Sequence, residues 1–244
     1  LAHTIKLVGK ENTNVVIGKI GNTTSTFYPA AGTNSPVDGW VSREGVSESW
    51  ATIEAGAGNT HDDAEVTYGI RAQIGYTPSA FHTLKRGIIL FDTSAIADTD
   101  NISAAVLSLF GVLKADGLSI TPTFDIYTVT PAANNTIANA DYGQFGTTSQ
   151  TGSAMTYANF STTAYNDFTL DATGRGNISK TGISKFGFRE ATYDAGGGTP
   201  APSVNSNAYA IAYSADEAGT ANDPKLVVVH SAASTSGKNF LMFM

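Results

Sequence analysis

Apolar positions along this chain cluster in short runs separated by polar, glycine-rich and proline-rich text. The densest stretch spans residues 86–111, where two apolar runs flank a polar hinge of Asp92, Thr93, Ser94, Asp98 and Asp100. In the first run Ile88, Ile89, Leu90 and Phe91 form a continuous block. In the second, Val106 and Leu107 lead into Leu109 and Phe110 with Ser108 between them. Unbroken apolar runs of this length fit strands covered on both faces. The spacing predicts two central strands, an Asx or Ser/Thr turn between them at Asp92 and Ser94, and a sheet that grows outward from that pair.

The rest of the chain is short strand text. Residues 4–8 and 15–20 read as a hairpin, and residues 21–39 as a long connection or arm. Residues 40–53 alternate loosely with Trp50 and Ile53 inward. The cleanest period-two segment is 66–74, with Val66, Tyr68, Ile70, Ala72 and Ile74 on one face. Further strands are expected at 123–129 (Phe124 and Ile126 inward), 165–170, 185–189, 208–213 and 226–230. Single helical turns are expected at 134–142 and 178–183, and glycines 196–198 mark a loop. No repeat of the length that builds propellers or solenoids is present.

The pattern predicts an all-β, antiparallel jelly-roll β-sandwich with extended N- and C-terminal arms. Its parts would be an N-terminal hairpin and arm (1–39), the sandwich (40–230) and a C-terminal linker with an apolar docking tail (231–244).

Composition narrows the function. A chain of 244 residues can bury a substantial core. Its formal net charge of -7 opposes a grip on nucleic acid, which needs clustered Lys and Arg to neutralise phosphates. Only 14% of residues are charged, so Ser, Thr, Asn, Ala and Gly must make up much of the surface, as is common outside cells and on virions. The absence of cysteine removes disulfides and thiolate metal sites. No apolar run approaches the roughly 18 residues of a membrane helix, so a soluble protein without membrane insertion is expected. No basic segment followed by an apolar one opens the chain. Leu1 in place of Met leaves processing, an alternative start and a fragment of a longer chain open.

Candidate chemistry is sparse. His61, Asp62, Asp63 and Glu65 form the densest acidic cluster, which could offer oxygen ligands to a structural calcium ion. A solvated acidic loop accounts for it better, so no metal site and no cofactor is assigned. The histidines at 3, 61, 82 and 230 are scattered outside any hydrolase motif. Glu44, Glu48 and Glu54 are close enough in sequence to suggest a carboxylate pair, yet on such a surface they are much more often solvated charges. No catalytic residue and no enzymatic activity are expected. Glycine-rich text such as residues 55–60 and 194–200 lacks the strand, Lys and helix of a phosphate loop. Tyr28, Tyr76, Tyr142 and Tyr157 fall in loop text and are the candidates for stacking on sugar rings, since tyrosine tolerates partial exposure; pinning loops to the sandwich is the competing role.

The succession RGIILFDTSAI, ISAAVLSLFG, FDIYTV, YNDFTLDATG, SKFGFR and DPKLVVVH resembles the DNRLRE-type domains. These are carbohydrate-binding-module-like jelly rolls found in secreted proteins and in phage structural proteins. The resemblance covers residues 40–230, and the wording of FSTTAYNDFTL and GTANDPKLVVVH is most similar to versions encoded by tailed phages. Where secreted versions carry tryptophans in the later strands, this chain has Tyr165 and Phe168. The resemblance implies a structural part in an assembly, with surface glycans as the alternative ligand.

The tail supplies the remaining signal. Phe240, Leu241, Met242, Phe243 and Met244 follow a Ser/Thr/Gly linker, and burying such side chains is worth roughly 1.5–3 kcal/mol each. The tail is expected to dock on a neighbouring subunit rather than fold back on its own sandwich. Ile5, Leu7, Val15 and Ile17 of the hairpin are the second candidate contact. The expected function is therefore a self-assembling structural protein of a virion surface or extracellular assembly, its partners being copies of itself and other assembly proteins. A filament subunit built by strand exchange and a carbohydrate-binding module are the alternatives.

Overall fold

The computed structural model describes residues 21–31, 34–202 and 204–233. It is an all-β, antiparallel, sandwich-like fold built on a strongly curled sheet. Its strands are β1 (Thr23–Phe27), β2 (Asp38–Glu48), β3 (Thr60–Asp62), β4 (Ile70–Tyr76), β5 (Phe81–Asp92) and β6 (Asn101–Asp116). They continue with β7 (Thr123–Thr128), β8 (Met155–Thr156), β9 (Tyr165–Thr169), β10 (Ile183–Glu190), β11 (Ser206–Ala212) and β12 (Lys225–Ser231). The hairpin expected over residues 4–20 and the tail residues 240–244 lie outside the described residues.

The sheet runs β1-β12-β6-β11-β4-β5-β10-β7-β8, with β9 along β6, β2 along β5 and β3 along β2. The two central strands expected from the sequence are both present, but they are not neighbours. β5 pairs with β2, β4 and β10, whereas β6 pairs with β12, β11 and β9. They meet face to face instead. Ile89 and Phe91 of β5 and Ala105, Leu107 and Leu109 of β6 enter one core with Phe124, Phe168, Phe186 and Phe188.

The continuous apolar block of β5 follows from its position between two cores. Ile89 and Phe91 face the first, while Leu84, Ile88 and Leu90 face a second that is closed by Val37, Trp50, Ile53, Ile137 and Tyr142. Alternation vanishes from the text because both faces of the strand are buried. On one edge β5 pairs with β2 from Phe81 to Ile89, and on the other β4 gives way to β10 near Gly87. A Cβ on Gly87 would lie 3.0 Å from Ile70 and 3.2 Å from Phe188, so the two strand ends close over a bare backbone.

Several elements differ from the sequence reading. The supposed connection at 21–39 contains β1, which pairs along β12. Residues 66–69 precede β4 rather than belong to it, and Val66 and Tyr68 are exposed. The alternation read over 40–53 is a strand followed by helix α1 (Trp50–Ala55), whose N-terminus is capped by the Ser49 side chain. Trp50 and Ile53 are inward as expected, but at helical spacing. The helical turn read at 134–142 is present as a 3-10 turn over Asn139–Gly143. The one read at 178–183 lies earlier, as helix α2 (Ala172–Gly176), capped by Asp171 accepting from the Gly174 N–H at 2.9 Å. The turn after β5 is as expected, with Asp92 Oδ1 accepting from the Ser94 N–H at 3.0 Å and its hydroxyl at 2.6 Å.

Candidate functional site

The edge formed by β1 is the first feature with functional potential. Its Thr- and Ser-rich text is mostly exposed, and among the described strands β1 pairs with β12 alone. One row of its backbone donors and acceptors therefore has no described strand beside it, which is the geometry that accepts an added strand. Thr23 is the cross-strand partner of His230. His230 ties this corner together, one ring nitrogen lying 2.6 Å from Asp100 Oδ2 and the other 2.9 Å from Ser25 Oγ.

A second feature is a buried ionic network. Asp194 accepts from Arg86 Nη2 at 2.6 Å and from Arg189 Nε at 2.7 Å, and all three side chains are nearly inaccessible. Burial alone would push its carboxyl up, but the two guanidinium charges and their hydrogen bonds overcome this and hold it at about 2. Further guanidinium donors meet backbone: Arg86 reaches the carbonyls of Tyr142 and Glu54, and Arg189 those of Gly146 and Asp194. Glu190 accepts from the N–H groups of Thr192, Tyr193, Asp194 and Thr123. The network pins the turn after β10 onto β5.

The third feature is a cluster of carboxylates. Asp38, at the start of β2, is 1% exposed. Its Oδ2 accepts from the Ala215 N–H at 2.9 Å, while its Oδ1 is buried without a hydrogen-bond partner. Asp223, 4% exposed, also leaves Oδ1 buried without one. Burial pushes the Asp38 carboxyl up to about 8, and the charges of Asp216 and Asp223 act in the same direction. Burial, with Glu217 and Asp216 nearby, raises Asp223 too.

A polar groove runs beside α2, about 480 Å³ in volume and lined by Asn159, Asp167, Thr169, Asp171 and Arg175 among others. A neighbouring hollow of about 350 Å³ shares Arg175. The one aromatic residue lining the larger groove, Phe168, is buried in the first core and offers no stacking surface.

The residues singled out in the sequence scatter. Tyr142, expected in a loop as a stacking platform, is fully buried; its hydroxyl donates to the Ile53 carbonyl at 2.6 Å and its ring lies under Arg86. It is a core residue because the 3-10 turn folds it beneath α1. Tyr76 packs edge-on against Phe81, and Tyr157 is half-buried beside Lys114. Tyr28 is exposed. Glu44 pairs with Lys85 and Glu48 with Arg43, while burial and the charge of Asp194 raise Glu54. The acidic cluster at 61–65 is dispersed into local contacts: Asp63 accepts from the Ile137 N–H, Asp62 from the Ala64 N–H, and Glu65 pairs with Arg71. Ile5, Leu7, Val15, Ile17 and Phe240 to Met244 lie outside the described residues.

Sequence reasoning missed Asp38, Asp194 and the β1 edge. Only the last left a trace, as Thr-rich text before a proline-rich connection. No protein-family model matches this chain, and no curated protein is significantly similar to it.

Proposed function

We propose that this chain is a non-enzymatic structural protein of a surface assembly, a decoration or tail component of a phage virion, that joins copies of itself or other assembly proteins through its terminal segments. The observation that carries the reading is the pairing of Thr23 with His230. Because these residues are cross-strand partners, the segments before residue 21 and after residue 233 continue from adjacent strands at one end of the sheet, beside the edge of β1 that no other described strand covers. Those segments carry Ile5, Leu7, Val15 and Ile17 on one side and Phe240 to Met244 on the other, apolar text that strand addition or docking would bury.

Two further points support it. The strand text resembles DNRLRE-type jelly rolls in the form found in tailed phages, and the low charge suits a virion or extracellular surface. The non-enzymatic part draws on the ion pairs of Glu44 and Glu48, two of the three glutamates whose sequence spacing suggested a carboxylate pair.

Sedimentation velocity on the full chain and on a chain lacking residues 240–244 tests this. The full chain is expected to self-associate and the shortened one to stay folded and monomeric. A shortened chain that associates equally well, or that loses its cooperative melt, contradicts the proposal.

A further inference from the structure

The carboxylates around Asp38 present a physical anomaly. None of the ion pairs among the described residues involves Asp38, Asp223 or Glu217. The charges that weigh most on Asp38 are those of Asp216 and Asp223, and on Asp223 those of Glu217 and Asp216, all of them negative. Buried carboxylates are ordinarily paired with a cation or saturated with hydrogen bonds, and leaving one unpaired is costly. Here Asp38 Oδ1 and Asp223 Oδ1 are both buried with neither kind of partner.

The loop that joins them is held in place. Ser214 Oγ donates to the Glu65 carbonyl at 2.6 Å, and the Ala215 N–H fixes the Asp38 carboxyl. At the other end the Tyr165 hydroxyl lies 2.9 Å from the Ala221 carbonyl and 3.0 Å from that of Asp223. The segment from Ser214 to Asp223 is thus anchored to three other parts of the fold while its acidic side chains are brought toward Asp38.

We propose that this corner binds a calcium ion, with Asp38 Oδ1 and Asp223 Oδ1 as anionic ligands and the acidic loop 214–223 as the wall of the site. A hard dication is what oxygen atoms of this kind accept, and calcium takes six to eight oxygens in irregular geometry, carbonyls and waters included. That tolerance matters, because among the described residues no three acidic or histidine side chains close a ready-made metal cage. Two carboxylates with backbone and water oxygens suit calcium better than magnesium, which demands a tight octahedron. The ion would lock the start of β2 to the connection between β11 and β12.

Calcium chloride titrated calorimetrically into the chelator-treated full chain, with thermal melts alongside, tests the site. One ion per chain and a saturable rise of several degrees in midpoint are expected, with a much smaller response to magnesium. Asp223→Asn is expected to abolish both effects, and so is Asp38→Asn; if the latter fails to fold, Asp223→Asn decides alone. Absence of calcium binding at millimolar concentration overturns the proposal, as does an undiminished response in Asp223→Asn, which would put the ion elsewhere.

Discussion

Asp194 and Asp38 are both aspartates withdrawn almost completely from water, and the fold treats them in opposite ways. Asp194 lies between Arg86 and Arg189, which hold its carboxyl at about 2. Asp38 has one backbone N–H and the company of other carboxylates, and burial lifts it to about 8. Burial acts in the same direction on both, so the neighbours decide the sign of the shift. One corner carries its counter-charges within its own sequence; the other leaves a place for a cation from solution.

The largest expected effect separates the two by mutation. Asp194→Asn leaves two buried guanidinium groups without their carboxylate, and removing one partner of such a network costs about 3–5 kcal/mol. Asp38→Asn, measured in chelator at neutral pH, replaces a carboxyl that must take up a proton on folding, so this variant is expected to be at least as stable as the parent. Denaturant unfolding of the two variants measures the contrast directly. Similar losses in both would erase it.

A smaller effect is expected from pH. The Asp194 carboxyl is lowered in the folded protein, so its stabilisation is present above the ordinary value of 3.8 and is lost as the pH falls through about 2. A shift of this size corresponds to about 2 kcal/mol. Asp38 is raised, so its contribution is present below 3.8 and is lost as the pH rises through about 8. In chelator, unfolding free energy followed from pH 2 to pH 9 is expected to peak near the ordinary value of 3.8, falling below it as Asp194 is protonated and falling between it and about 8 on account of Asp38, and calcium is expected to flatten the second limb.

The comparison also shows what sequence alone can reveal. Strands β5, β7, β9, β10, β11 and β12 were legible because their apolar text reports burial locally, and Phe124 and Ile126 were placed correctly. Partnerships across the fold were not. β5 and β6 are consecutive and equally apolar, yet β11 and β4 stand between them in the sheet, and nothing in either strand encodes that order. β1 was missed because an exposed edge strand needs no apolar residues. α1 and α2 had local signals that a search for strands passed over, namely Ser49 and Asp171 as caps and the spacing of Trp50 and Ile53. Tyr142 looked like a loop tyrosine until Arg86 and Ile53 closed over it. Asp194 meets Arg86 across 108 positions, and Asp38 meets Ala215 across 177, so neither site has a motif to find.

The contrast between the two corners is tested most directly by following aspartate side-chain carboxyl resonances of the full chain by nuclear magnetic resonance, in chelator and then with calcium. In chelator Asp194 is expected to stay ionised down to about pH 2 while Asp38 stays protonated through neutral pH, and added calcium is expected to ionise Asp38 with no effect on Asp194. An Asp38 resonance that titrates at the ordinary carboxylate range in chelator and ignores calcium would contradict the account.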